Sequence, residues 1–167
     1  MFNNKRIYSF TGPTCSGKSF MASMINPNHF DVISIDDEVD RFYKEVYPHK
    51  TKDEMLSDYG ITGLENLTYR AIRERIMLLI QMSKKENIIV DGVQATKLLV
   101  GIDNVIDCNI DFTSTSEFMD NNRIGKNWSK KKYHKIRTLK MNLPKDVDFT
   151  GWHPDAIAGY LKSKYGS

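Results

Sequence analysis

Cysteine and long apolar runs are scarce in this sequence of 167 residues. The two cysteines, Cys15 and Cys108, are far apart in the chain, which argues against a disulfide framework and against a Cys/His metal cluster. No apolar run approaches the ~20 residues that a membrane helix needs. The first residues, MFNNKRIYSF, lack the apolar core and cleavage site of a signal peptide. We therefore expect a cytoplasmic protein with free thiols and no membrane partner.

Repeats, low-complexity tracts and linkers are absent as well, so we expect one domain over residues 1–167. Strand-like and helix-like segments alternate along it, which predicts an α/β fold of three layers, a mostly parallel sheet with helices on both faces. The predicted strands cover 6–11, 30–36, 86–92 and 104–111. The predicted helices follow Lys18, cover 37–48, 51–58 and 64–82, and start near Ser114, Ser129 and Pro154. The helix 51–58 is expected to end at Gly60. The helix 64–82 has one apolar stripe, which consists of Leu64, Leu67, Ala71, Ile72, Ile76, Leu79 and Ile80.

The segment GPTCSGKS, residues 12–19, matches the pattern G-x-x-x-x-G-K-[ST] between a predicted strand and a predicted helix. Its glycines allow consecutive main-chain N–H groups to point at phosphate oxygens, and the next helix adds its positive end. Lys18 would reach the β- and γ-phosphates, and Ser19 would offer a hydroxyl to Mg²⁺. The pattern predicts binding of ATP with Mg²⁺ by Gly12, Pro13, Thr14, Cys15, Ser16, Gly17, Lys18, Ser19 and Phe20.

Such a P-loop serves GTPase switches, ATPase motors and small phosphotransferases. No N-K-x-D motif for reading guanine occurs, and the third predicted strand ends in DGVQ rather than D-x-x-G. Motors are usually longer than this chain. These observations favour a kinase with the P-loop NTPase fold and a small helical lid.

Acidic residues lie at the carboxyl ends of two predicted strands, where open α/β sheets bind ligands. Asp36 is the predicted catalytic base, which would orient or deprotonate an acceptor hydroxyl. Asp37 and Glu38 are interpreted as acids that favour a helix start. Asp91 is predicted to contact Mg²⁺ or the acceptor, and Gln94 to hydrogen-bond the acceptor. The alternative for Asp91 is a turn residue, because the pair Asp91-Gly92 is itself a turn signal.

A basic segment lies between Asn121 and Met141, where eight Lys or Arg occur without an acidic residue. With a glycine between two predicted helices, it predicts a lid over about 114–140 that closes on ATP. Arg123 is the first choice for the cation that stabilises the transferring phosphoryl group, with Lys126 and Arg137 next. Because Trp128 and Tyr133 accompany these cations, nucleic-acid binding stays open as an alternative.

Two further residues could line an acceptor pocket. Arg70, in the predicted helix 64–82, could bind an acceptor phosphate, or it could lie on a solvated face and pair with a glutamate. Tyr43 belongs either to the core or to the wall of that pocket.

Together these segments resemble the P-loop small-molecule kinases, among them dephospho-coenzyme A kinases and related nucleotide and nucleoside kinases. The likeness rests on GPTCSGKS, VISIDDEVDRFY, DYGITGLENLTYRAIRERIM and SEFMDNNRIGKNWSKKKYHKIRTLKM. IIVDGVQATKLL is similar to a segment of viral deoxynucleoside monophosphate kinases. The resemblance implies that Asp36 is the base and that Arg123 is a lid arginine.

The chain departs from that family pattern in three places. Thr68-Tyr69 stands where an acidic-Arg pair is common, and Glu117–Asp120 lacks a further lid arginine. The segment DVDFTGWHPDAIAGY, residues 146–160, lacks the usual Ala-Asp strand signature.

Three functional hypotheses follow from the residues. The first is an ATP-dependent kinase acting on a nucleotide, nucleoside or nucleotide-like metabolite. The second is a polynucleotide 5′-kinase, and the third is a nucleotide-dependent binding or regulatory module without a small-molecule acceptor. The oligomeric state and the acceptor stay open.

Overall fold

The described part of the chain consists of residues 4–12, 22, 24–25, 28–46, 48–92, 94–110, 146–149 and 152–165 of a computed structural model. At positions 46, 52, 55, 56, 58–65 and 154 only the backbone is described. The elements, in chain order, are β1 (Arg6–Thr11), β2 (Phe30–Ser34), α1 (Ile35–Val46), α2 (Lys52–Met82), β3 (Asn87–Asp91), α3 (Ala95–Leu98), β4 (Val105–Asn109), β5 (Val147–Asp148) and α4 (Pro154–Lys164).

The strands form one sheet in the order β2-β3-β1-β4-β5, and every neighbouring pair is parallel. β1 is the central strand, between β3 and β4. The strand that follows β1 in the chain, β2, lies on the far side of β3. The strand that follows β3, β4, lies on the far side of β1. The carboxyl ends of β1 and β3 therefore meet where the connections diverge, which is where open α/β sheets bind ligands.

Helices cover both faces of the sheet, which makes the fold a three-layer α/β structure. On one face, isoleucines of β1, β2 and β3 pack against Ile72, Ile76 and Ile80 of α2. On the other face, Tyr8 and Phe10 of β1 pack in one cluster with Ile157 and Leu161 of α4. The alternation of side chains along each strand divides the two cores, and the predicted fold class is confirmed.

α2 differs from the prediction. We predicted two helices, 51–58 and 64–82, separated at Gly60, but the backbone is helical from Lys52 to Met82. Glycine inside a helix costs only about 1 kcal/mol, which packing of the buried stripe at Ile72, Ile76 and Ile80 offsets. Leu67, predicted to belong to that stripe, is exposed. Despite its 31 residues, neither α2 nor any other helix in the described ranges is apolar enough to span a membrane.

The ends of other elements also differ. β2 stops at Ser34 instead of residue 36, and α1 begins at Ile35, so the predicted strand end is the first turn of a helix. Val147–Asp148 forms the edge strand β5, which was not predicted because two residues carry no periodicity. Pro154 does begin the last helix, where His153 Nδ1 accepts a hydrogen bond from the Asp155 backbone N–H.

Candidate functional site

The candidate site lies at the carboxyl edge of the sheet, where β1 ends. Thr11 is the last residue of β1, and Gly12, the first residue of the predicted phosphate loop, is buried directly after it. The predictions for residues 13–20, including Lys18 and Ser19, fall outside the described residues. The structure therefore defines where the loop starts.

Main-chain hydrogen bonds from both neighbouring strands hold that starting point. The Gly92 N–H donates to the carbonyl of Phe10 at 3.2 Å, and the Ile110 N–H donates to the carbonyl of Thr11 at 2.8 Å. The last two residues of β1 are thus anchored on opposite sides.

Asp91 ends β3 and pairs in register with Phe10 of β1 and with Ser34 of β2. Its side chain is 3% exposed, although it is an acid at a strand end. Buried carboxylates are rare unless a partner compensates the charge. The structure therefore places a carboxylate one strand away from the start of the predicted phosphate loop.

Asp36 lies in the first turn of α1, two residues after β2 ends. The Ser34 hydroxyl accepts a hydrogen bond from the Asp37 N–H at 3.4 Å, so Ser34 caps this turn. Asp36 is exposed to solvent. Because Ser34 pairs in register with Asp91, the two predicted acids follow adjacent strands at the same edge.

Gly92 fixes how closely the end of β3 approaches α1. A Cβ atom at this position would lie 2.9 Å from the Cβ of Ile35, the first residue of α1, which is closer than real Cβ contacts. Ile35 is buried, so neither side can give way easily. Glycine is required here, and it brings the segment around Asp91 against the helix that carries Asp36.

Gln94 is exposed and precedes the short helix α3 as its N-cap residue. Its side chain makes no capping hydrogen bond to α3, while its carbonyl accepts from the Leu98 N–H at 2.8 Å. The amide of Gln94 is therefore not occupied in holding the helix. The role predicted for it toward an acceptor stays a prediction.

Tyr43 and Arg70 have different surroundings. Tyr43 is half-buried against the core, and its hydroxyl lies 3.1 Å from the hydroxyl of Thr68. Arg70 is exposed on α2. The adjacent Tyr69 donates from its hydroxyl to the Lys97 carbonyl at 3.1 Å. Thr68 and Tyr69, which depart from the family pattern, thus connect α2 to α1 and to α3.

Glu38 was interpreted only as a helix-start acid, and the structure gives it a further role. Its carboxylate is buried and accepts from Arg75 Nε at 2.7 Å and from Arg41. Arg75 also donates to both oxygens of Glu45 at 2.8 and 2.9 Å. The hydrogen bond from Arg75 lowers the pKa of Glu45, and that same bond raises the pKa of Arg75.

The sequence pattern did not predict this network. Arg75 holds two acids of α1, the helix that carries Asp36 in its first turn. Arg73 donates to the carbonyl of Leu98 at the end of α3. Periodicity could not reveal these contacts, because they join residues 25 to 37 positions apart.

The predicted lid, about 114–140, falls outside the described residues, and so do Arg123 and Lys126. Cys15 also falls outside. Cys108, in β4, is a free buried thiol whose pKa is raised by burial. Within the described ranges, no group of three or more His, Cys, Asp or Glu could hold a metal ion.

The parallel sheet, its strand order and its helices on both faces define the P-loop NTPase fold class. Among solved structures, the shikimate kinase of Aquifex aeolicus has a TM-score of 0.56 at 16% identity, covering 97% of this chain and 99% of that one. The shikimate kinase of Bacteroides thetaiotaomicron also has a TM-score of 0.56, at 13% identity, covering 95% and 96%. No family model and no curated protein matches the sequence. These likenesses show the fold.

Proposed function

We propose that this protein is an ATP-dependent kinase that transfers the γ-phosphoryl group to a small molecule. One observation carries the proposal: a G-x-x-x-x-G-K-S sequence begins at the carboxyl end of the central strand of this fold. Two acids lie at the ends of the two strands on one side of it: Asp91 is the last residue of β3, and Asp36 lies two residues beyond β2. Similarity in fold to shikimate kinases is consistent with phosphoryl transfer to a small molecule.

The residues around β1 and β3 fit Mg²⁺, since a carboxylate oxygen is the kind of ligand that this ion prefers. Asp91 provides such a carboxylate in a buried position beside the end of β1. Asp91 and the hydroxyl of Ser19 would hold the ion. When bound, Mg²⁺ offsets the negative charge of the phosphates.

In the proposed reaction the chain mainly positions groups, because phosphoryl transfer needs alignment and charge stabilisation more than covalent chemistry. Main-chain N–H groups between Gly12 and Ser19 would hold the phosphates, with Lys18 at the β- and γ-phosphates. Asp36 would accept a hydrogen bond from the acceptor hydroxyl and take its proton as the acceptor oxygen bonds to the γ-phosphorus. The bond from the γ-phosphorus to the β,γ-bridging oxygen would break, and ADP would leave. Arg123, with Lys126 near it, would stabilise the charge of the transferring group.

The acceptor is proposed by chemical class. A nucleotide, nucleoside or nucleotide-like metabolite is the first choice, on the resemblance to dephospho-coenzyme A and nucleotide kinases. Shikimate, named for both structural neighbours, is a second acceptor to test. Gln94, Tyr43 and Arg70 would line the acceptor side, and the exposed positions of Gln94 and Arg70 leave both accessible.

A screen for ADP release tests the proposal with nucleosides, nucleoside monophosphates, dephospho-coenzyme A, shikimate and 5′-hydroxyl oligonucleotides as acceptors. A kinase forms a phosphorylated product with a small molecule. Strong product formation with oligonucleotides, falling steeply as salt rises, would instead support the polynucleotide 5′-kinase. ADP and phosphate alone, with every acceptor, would support the nucleotide-dependent binding module.

Two variants test the roles in the site. Lys18→Ala should abolish turnover while the unfolding transition stays that of the wild type. Asp36→Asn should lower kcat about 10²- to 10⁴-fold, the usual contribution of a general base, with little change in ATP affinity. Equal losses of kcat and ATP affinity in Asp36→Asn would contradict a role as base.

A further inference from the structure

Three hydroxyl side chains lie buried together where α3 packs on one face of β1: Ser9 and Thr11 belong to β1, and Thr96 belongs to α3. Ser9, Thr11 and Thr96 are 0%, 5% and 8% exposed. Ser9 and Thr11 share that face because side chains alternate along a strand. Burying a hydroxyl costs free energy unless it is hydrogen-bonded, and alanine or valine would fill the same space.

The hydrogen bonds among these groups run in one direction. The Ser9 hydroxyl donates to Asp107 Oδ1 at 2.6 Å. A hydroxyl has one hydrogen to donate, so Ser9 acts as acceptor toward the Thr96 hydroxyl, 3.3 Å away. The Thr96 hydroxyl then accepts from the Thr11 hydroxyl at 2.8 Å. We call Thr11, Thr96, Ser9 and Asp107, in this order, the hydroxyl chain. Each of its three hydroxyls donates one hydrogen bond to the next residue, and the Asp107 carboxylate accepts the last one.

Thr96 is joined to Thr11 by a second hydrogen bond, since its backbone N–H donates to the Thr11 hydroxyl at 3.2 Å. Thr11 directly precedes Gly12, where the predicted phosphate loop begins. Thr96 follows Gln94 by two residues and Asp91 by five. The hydroxyl chain therefore joins Thr11, beside the loop proposed to bind the phosphoryl donor, to the segment after β3, which is proposed to face the phosphoryl acceptor.

We propose that Thr96 is a positioning residue, which holds the segment after β3 against the residue before the phosphate loop. The inference rests on the proposed function, because it concerns the relative placement of phosphoryl donor and acceptor. Thr96 touches neither group itself and acts through Thr11. A fully hydrogen-bonded buried network favours one arrangement over its alternatives, and a small displacement between reacting groups slows transfer strongly.

The test compares Thr96→Val, which replaces the hydroxyl by a methyl group of similar size, with Thr96→Ser, which keeps the hydroxyl. In the kinase assay Thr96→Val should lower kcat by about tenfold or more through misplacement of the reacting groups, while ATP affinity stays within about twofold. Thr96→Ser should stay near the wild type. A fall in kcat at unchanged ATP affinity in Thr96→Val, with wild-type kcat in Thr96→Ser, distinguishes positioning from general destabilisation.

A second measurement needs neither ATP nor an acceptor. The N–H groups of Leu98 and Leu99 donate to the carbonyls of Gln94 and Ala95 at 2.8 and 3.1 Å. In the ligand-free protein, their hydrogen exchange should be about tenfold faster in Thr96→Val than in the wild type, because α3 opens locally. Thr96→Ser should keep the slow exchange.

Ser83→Ala is the matched control, since it removes a half-buried hydroxyl that donates to Asp31 near the opposite edge of the sheet. It should lower the melting temperature and leave Leu98 and Leu99 exchange unchanged. Thr11→Val combined with Thr96→Val should be little worse than either change alone, because both break one hydroxyl chain.

Wild-type exchange rates in Thr96→Val would overturn the inference, and so would an unchanged kcat. A wild-type chain that phosphorylates no acceptor would refute the proposed function instead. In that case the exchange rates of Leu98 and Leu99 still decide whether Thr96 holds α3 to β1.

Discussion

The two faces of β1 differ in chemistry, although both come from the six residues RIYSFT. On one face, Tyr8 and Phe10 are completely buried, and the Tyr8 ring lies edge-on to Phe30 and Tyr165 with centroids 5.8 and 6.2 Å apart. On the other face, Ser9 and Thr11 form hydrogen bonds under α3. One strand thus has an aromatic face with apolar contacts and a second face, on which Ile7 packs in the core while Ser9 and Thr11 form hydrogen bonds near the carboxyl edge.

The helices on the two faces also differ in their polar contacts. α4 adds aromatic and aliphatic contacts, including Tyr160, which packs against Phe149 and Trp152 with centroids 5.6 and 5.5 Å away. α1, α2 and α3 pack an apolar core as well, and in addition they are joined by directional polar contacts such as that of Arg75 with Glu38. Apolar contacts tolerate small shifts, whereas hydrogen bonds weaken steeply with geometry. We therefore expect variants of the aromatic face of β1 to change mainly the free energy of unfolding. Variants of the hydroxyl face, which carries Ser9 and Thr11, should also change the geometry of the site and so kcat.

The largest effect should come from the aromatic face. Phe10→Ala should lower the free energy of unfolding by about 3–5 kcal/mol, because it leaves a cavity in a packed core. Urea denaturation measures this loss. Phe10→Leu, a smaller change that keeps the chain folded, should reduce stability while kcat per folded molecule stays close to the wild type. A clear fall in kcat per folded molecule of Phe10→Leu would contradict the difference between the two faces.

Gly92→Ala should have the next largest effect, at about 1–3 kcal/mol, because overpacking forces backbone shifts. The new Cβ would lie 2.9 Å from that of Ile35. Gly159→Ala is the matched control, since a Cβ at Gly159 of α4 meets nothing within 4 Å. Denaturation should show a gain or no change for Gly159→Ala. Equal stability of the two variants would contradict the close approach of β3 to α1.

Glu38→Gln should cost about 1 kcal/mol of unfolding free energy, because it weakens charge-assisted hydrogen bonds to Arg75 and Arg41. Glu45→Gln removes an exposed acid from the same arginine and should cost less. Thermal denaturation of both variants checks this order. A larger loss in Glu45→Gln would mean that the buried acid is not what holds α1 to α2.

The smallest effect concerns alkaline pH. Burial raises the pKa of Tyr8 to about 12 from its ordinary value of 10.0. The unfolded chain therefore releases this proton first, so the contribution of Tyr8 to stability is complete below pH 10 and falls as the pH rises toward 12. Melting temperatures measured from pH 8 to about 11.5 should fall less steeply in Tyr8→Phe. An identical slope in the two proteins would exclude Tyr8 as the cause.

Elements with strong local patterns were predicted well. The strands β3 and β4 lie within the predicted ranges 86–92 and 104–111, because their apolar runs are bounded by polar or turn residues. Pro154 marked the start of α4 because its missing N–H is tolerated in a first helical turn. The break expected at Gly60 was wrong, since a weak local preference yields to packing over a long helix.

Placement at the site was predictable in part. The phosphate-loop pattern and the strand-end acids could be read from spacing alone, and the parallel sheet brings the ends of the strands that precede them to one edge. The contacts of Glu38, Arg73 and Arg75 could not be predicted from spacing, because no local pattern indicates which residue a helix-start acid or a helical arginine will contact. Gly92 looked like part of an Asp-Gly turn, and its contact with Ile35 appears only when β3 lies beside α1.

Residue type and spacing were enough to define the alternation of strands and helices, the phosphate-loop sequence and the acids that follow two strands. Strand order was not encoded in any local pattern, so the tertiary structure alone brought Thr11 to Thr96 and Ser9 to Asp107, across 85 and 98 positions. The physical reason is range: periodicity reflects which face of an element is buried, whereas a hydrogen bond depends on atoms about 3 Å apart, whatever their separation in the chain.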